Sequence, residues 1–168
     1  MLTKNDLNTK EEYDKIGGSY YTQNRWKWFQ EAMDMLIGLD VYKVLEIGSY
    51  LYPIFPWGWT VDIKGNPKEF CDLDLMPWKY KDKQFDLVIC LQTLEHLEQR
   101  KLAFNEIRRI SESALISLPF MWNEPDDHIH HNITMEKINE WTGGEVPVKT
   151  FIGGDESKKQ IILYYQFI

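Results

Sequence analysis

The stretch Val44-Leu45-Glu46-Ile47-Gly48-Ser49 constrains the fold of this chain more than any other. An aliphatic run that ends at a glycine reads as a buried strand delivering its carboxyl end into a tight turn, where backbone can approach a ligand closely. Thr60-Val61-Asp62-Ile63 and Phe85-Asp86-Leu87-Val88-Ile89-Cys90-Leu91 repeat the theme. In an open α/β sheet ligands collect at the carboxyl ends of the strands, so acids at the tips of the first two strands, Glu46 and Asp62, would face one crevice.

The rest of the chain alternates around that unit. Residues 1 to 16 read as a polar, loosely held arm with one helical turn near Glu11, and Gly17-Gly18 as a hinge. Trp26, Phe29, Met33, Leu36 and Ile37 fall on one face of a helix over 22–37 that Gly38 closes. Strands are expected over 43–47, from Trp59, over 70–73, 85–91 and 114–118, with helices over 98–111 and 135–142. Thr134 is placed to cap the last helix and Gly143-Gly144 to end it. Two final strands, 146–152 and 160–167, flank a Gly153-Gly154-Asp155 turn. The links after the first and second strands are short and contain Pro53, Pro56, Gly58, Gly65 and Pro67, so they cannot carry long helices. The expected architecture is α/β, a three-layer Rossmann-like sheet, mostly parallel with an antiparallel C-terminal strand and reduced helices after strands one and two.

A length of 168 residues fits a single domain, with an arm and helix over 1–39 and a sheet core over 40–168. Nineteen Lys and Arg against 26 Asp and Glu give a net charge of −7, and no basic run exceeds Arg108-Arg109. General nucleic-acid binding is therefore not expected. Cys71 and Cys90 match no zinc or redox spacing and read as reduced core residues. The start of the chain is charged, and no stretch is apolar over the length of a bilayer, so a cytoplasmic protein without membrane association is expected.

The ordered motifs resemble those of the class I S-adenosylmethionine-dependent methyltransferases. Val44-Leu45-Glu46-Ile47-Gly48 is similar to the family's first motif, and Val61-Asp62 to its acidic second-strand tip. Cys71 to Pro77 is similar to its acidic segment before a Leu-Pro-aromatic loop, and Phe85-Asp86-Leu87-Val88 followed by Leu94-Glu95-His96-Leu97 to its fourth-strand signature. The resemblance implies S-adenosyl-L-methionine as cofactor. Glu46 would organise its methionine end, Gly48 and Ser49 would let backbone approach it, and Asp62, with Ile63 beside it, would accept from the ribose hydroxyls. Asp72 and the Leu73 N–H would meet the adenine, and Leu91 and Gln92 would border the sulfonium. Two positions depart from the pattern: Tyr50 and Tyr52 stand where the family has further glycines, and large side chains there would crowd the methionine pocket. No G-x-G-x-x-G follows the first strand, which argues against a dinucleotide site.

Methyl transfer is an in-line displacement, so most of its catalysis comes from positioning, and a base is needed only for an acceptor that must lose a proton. His96 and His128 are the candidates for that role. The loop 120–127, with Tyr20, Tyr21 and Trp57, offers an aromatic and acidic rim that suits a small-molecule or carbohydrate-linked acceptor. A catalytically silent cofactor-binding or scaffold protein with the same fold is the alternative; the shortened crossovers also leave a cofactor site that a partner protein or a second copy could complete. A third reading is a metal-dependent RNA 2′-O-methyltransferase, because Glu95, His96 and one of His128, His130 or His131 are similar to that subfamily's ligand set. The subfamily has a further glutamate where Gln92 stands, so no metal is expected here.

Overall fold

The computed structural model describes residues 1–15, 20–154 and 158–167, the first five of the second stretch by backbone alone. The hinge expected at Gly17-Gly18, the rim side chains of Tyr20 and Tyr21, and Asp155 of the expected turn lie outside what is described.

Seven strands form one sheet: β1 (Val44–Ile47), β2 (Trp59–Asp62), β3 (Glu69–Phe70), β4 (Leu87–Leu91), β5 (Ser113–Phe120), β6 (Lys149–Gly154) and β7 (Lys159–Gln166). Their order is β3-β2-β1-β4-β5-β7-β6. β3 through β5 pair in parallel, β7 runs antiparallel to β5, and β6 pairs antiparallel with β7. Strand order reverses between β1 and β4, which puts the topological switch point, where such sheets bind ligands, at the ends of these two strands. Both strands are aliphatic and buried, as strands covered on both faces must be.

The helices are α1 (Lys10–Lys15), α2 (Tyr20–Leu36), α3 (Arg100–Ile110) and α4 (Met135–Thr142). α3 and α4 cover one face, burying Ala103, Phe104, Ile107 and Ile138 with Leu45, Ile47, Val88, Cys90 and Ile116. α2 covers the other, where Ala32, Met33 and Leu36 are buried with Val44, Leu87, Ile89 and Leu115. This is the expected three-layer arrangement.

The N-terminal arm differs from its expectation. Leu2 and Leu7 are buried in the α2 layer, the Leu2 N–H donates to Leu39 O at 2.7 Å and the Asn8 N–H to Ile54 O at 2.8 Å. Two buried leucines and paired backbone groups dock the arm rather than leave it loose.

No helix forms between β1 and β4 among the described residues, and loops take over the covering. Ile54 and Phe55 fill the α2 layer, and Trp78 fills the opposite one, its Nε1 donating to Leu73 O at 3.0 Å. Arg109, in the last turn of α3, clamps the loop before β4 by donating to Trp78 O, Tyr80 O and Asp82 while also pairing with Glu106. Its five-donor fork suits several acceptors at once.

β3 ends at Phe70, short of the expected 70–73: the Cys71 N–H still bonds to Asp62 O, but beyond it Asp72 Oδ1 accepts the Asp74 N–H and turns the chain away. β5 runs on through Pro119 to Phe120. β4 ends at Leu91 opposite Ser117, so beyond that point β5 has a strand neighbour only in β7, and an edge position tolerates proline. Among the described residues, no helix is long and apolar enough to cross a membrane.

Candidate functional site

The β1 turn is built by close approach. Gly48 takes φ +68, and a Cβ placed there would lie 2.0 Å from Thr93 Oγ1, so the turns after β1 and β4 touch where only glycine fits. The chain then continues through Tyr50, itself left-handed at φ 51, where a glycine would have been unstrained.

Two buried acids organise the loops around this turn. Glu46 Oε2 and Oε1 accept the N–H groups of Ile54 and Phe55 at 2.7 and 2.6 Å. Burial pushes its carboxyl up to about 8 against the pull of those donors. Asp62 Oδ2 accepts the Tyr50 N–H at 2.8 Å and Oδ1 the Lys64 N–H at 3.1 Å. Each carboxylate oxygen has a second lone pair, so two backbone bonds fix Asp62 without exhausting it. Tyr50 and Lys64 thereby wrap the acid from both sides of the β1–β2 edge.

A shallow cleft, open to solvent, lies at the switch point and is lined by Arg25, Phe29, Glu46, Gly48, Ser49, Tyr52 and Leu91, among others. Tyr52 is packed at 4.7 Å against the Tyr13 ring and lines this cleft. Ser49 lines this cleft, and its Oγ is buried with no hydrogen-bond partner among the described residues. Beyond it, Ile63 is 64% exposed at the β2 tip and Asp72 lies exposed after β3. Leu73 is buried. The residues named from the sequence thus fall along one sheet edge, with Glu46, Gly48, Ser49 and Leu91 sharing the cleft and Asp62, Ile63 and Asp72 in the turns next to it. Gln92 borders the edge but spends its amide on Ser117 Oγ and Gln160.

Sequence reasoning missed Arg25. It sits near the start of α2 and reaches the cleft from a distant part of the chain; its only signal was a cation next to the apolar face that starts at Trp26.

The histidines divide. His96 follows β4 in the one-turn helix Leu94–His96, and its ring lies 5.0 Å from that of His130 in the loop after β5. Burial, together with His130, lowers the His96 pKa, which favours the neutral imidazole. His128 is exposed in the same loop, outside this contact. Glu95 is fully buried beneath them; neither carboxylate oxygen has a hydrogen-bond partner among the described residues, and burial raises its pKa to about 8.

A family model described as a methyltransferase domain matches residues 61–114. No curated protein sequence matches the chain. Solved structures do. The cyclase SpnF is 8% identical with a TM-score of 0.66, covering 89% of this chain and 84% of its own. Magnesium protoporphyrin IX methyltransferase (ChlM) from Synechocystis PCC 6803, solved with S-adenosylhomocysteine, is 14% identical with a TM-score of 0.62, covering 90% and 89%. The N-terminal domain of EvdMO1, solved in the presence of S-adenosylhomocysteine and D-fucose, is 12% identical with a TM-score of 0.54, covering 86% and 82%. At these identities the likeness speaks for the fold, and a cyclase among the neighbours shows that the fold alone does not choose the reaction. The chain carries the fold of the class I S-adenosylmethionine-dependent methyltransferases, with a methyltransferase-domain signature across residues 61–114.

Proposed function

We propose that the chain is an S-adenosylmethionine-dependent methyltransferase acting on a small-molecule or carbohydrate-linked acceptor by direct displacement. The observation that carries this reading is the cleft at the β1–β4 switch point, lined by Arg25, Glu46 and Ser49, the last with a buried hydroxyl that has no partner among the described residues. An amino acid's carboxylate and ammonium are what such a set can satisfy: the Arg25 guanidinium would take the carboxylate, and Ser49 would add a hydrogen bond. The remaining lone pairs of Asp62 would accept the ribose hydroxyls, and exposed Ile63 would gain cover from the adenine. S-adenosyl-L-methionine supplies an activated methyl; the chain's task is to hold an acceptor in line with it and exclude water. Where the acceptor must lose a proton, a neutral His96, or His128, would take it. The ligands in the ChlM and EvdMO1 complexes support a nucleoside cofactor with a small or sugar acceptor.

Calorimetric titration with S-adenosylhomocysteine tests the reading. The intact chain should bind one equivalent, and Asp62→Ala should bind at least about tenfold more weakly, since a hydrogen bond to a charged group is worth about 1.5–3 kcal/mol. No binding by the intact chain refutes it. The second reading, a silent scaffold of the same fold, is favoured by the backbone bonds already made by Glu46 and Asp62. One acceptor that takes up labelled methyl ends that alternative.

A further inference from the structure

We propose that Glu95, His96 and His130 form a divalent-cation site of the zinc class, joining the loop after β4 to the loop after β5. One donor atom from each of the three lies within 4.8 Å of the other two. Donors around a tetrahedral cation with bonds near 2.1 Å sit about 3.4 Å apart, so side-chain shifts of about 1 Å close the site.

Three further features fit a cation. The first is the carboxylate itself. Glu95 is fully buried, and both its oxygens lack a hydrogen-bond partner among the described residues, although buried carboxylates are normally paired or bound to metal. Its position is fixed by its backbone: Arg100 donates two hydrogen bonds to Glu95 O, and the His96 N–H bonds to Thr93 O. The second is the backing of His130. Asp127 Oδ2 lies 2.6 Å from its Nδ1, and Asp127 Oδ1 accepts the N–H groups of Ile129 and His130. A carboxylate on Nδ1 holds the proton there and leaves the Nε2 lone pair for a metal, the usual support of a metal-binding histidine. The third is access. Both imidazoles are reached by solvent, so a cation can enter and would keep open positions on the outer side. Two imidazoles and one carboxylate with room left over is a donor set that zinc takes where a further ligand is exchangeable.

Gln92 is turned toward Ser117 and Gln160, so three side chains of the protein make the site. A bound cation would occupy His96 and leave His128 as the imidazole available for a proton. It would also fix the loop after β5 against the end of β4. The competing account is that Glu95 stays protonated in its buried position, or is balanced through the field of Arg25, and then no stoichiometric uptake occurs.

The test uses the full chain, free of any histidine tag and stripped with chelator, and needs neither cofactor nor acceptor; its outcome is thereby separate from the methyltransferase reading. Titration with Zn²⁺ should give one tight equivalent, and Co²⁺ should give visible d–d bands of an ordered site. Glu95→Gln and His130→Asn should each weaken Zn²⁺ at least tenfold, and Asp127→Asn by about 10–100-fold. Glu95→Gln should remain folded, since it keeps the side chain's size and breaks no side-chain hydrogen bond among the described residues; His130→Asn, nearer the surface, reads the site independently of it. No saturable uptake by the intact chain, or uptake that neither Glu95→Gln nor His130→Asn changes, overturns the proposal.

Discussion

Replacing Gly48 with alanine tests how the β1 and β4 turns support one another. The residue sits at φ +68, where a side chain costs about 1–2 kcal/mol. The new Cβ would also lie 2.0 Å from Thr93 Oγ1 and 2.4 Å from Cγ2. Thr93 is buried, and its hydroxyl bonds to Leu91 O at 3.0 Å, so it cannot swing away without losing that bond. Overpacking of this kind costs about 1–3 kcal/mol. The sum, about 2–5 kcal/mol, is a large part of the 5–15 kcal/mol that typically holds a domain of this size. Urea unfolding should show the midpoint falling with an unchanged slope. In a Thr93→Ala background the two shortest contacts vanish, and the loss should shrink by about 1–2 kcal/mol while the backbone cost stays. A single substitution within about 0.5 kcal/mol of the parent, or a double mutant with no coupling, refutes the packing argument.

Two other perturbations probe the chain around the cleft. Glu46 has its pKa raised from 4.5 to about 8, above its unfolded value, so its contribution is full below pH 4.5 and is lost as pH rises through 8. Glu46→Gln should therefore flatten the fall of unfolding free energy across that window, by up to about 1.4 kcal/mol per pH unit; an unchanged slope contradicts the assignment. Arg109→Lys keeps the charge but not the fork, and should cost about 1–3 kcal/mol and speed amide exchange in the loop 78–82; unchanged exchange would mean that the fork does not hold that loop.

Much of this architecture was legible in the residues because it follows from local rules. Thr134 accepts the Lys137 N–H and Gly143 takes φ 68, so α4 begins and ends where its cap and its glycine dictate. The aliphatic runs of β1 and β4 likewise announce strands buried on both faces. What could not be read depends on long-range geometry. Leu2 and Leu7 look like isolated apolar residues in a polar arm until α2 and Ile54 are placed beside them. Nor could the residues show that the Tyr50 N–H bonds to Asp62, or that Tyr52 leans on Tyr13 while lining the cleft. Among three histidines within four positions, the turn that Asp127 makes with Ile129 and His130 selects His130, not His128, to meet His96. Arg25 reaches the cleft from α2, about twenty residues before β1, and a cation beside an apolar helix face does not by itself reveal that reach.

The most direct test of the central claim is a crystal structure of the chain with S-adenosylhomocysteine. The account predicts the methionine end in the cleft between β1 and β4, its carboxylate near Arg25 and its ammonium near Ser49. The ribose hydroxyls should lie within hydrogen-bond reach of Asp62, which keeps its bonds from Tyr50 and Lys64. A ligand bound elsewhere, or one that leaves Asp62 and Ser49 untouched, would contradict it.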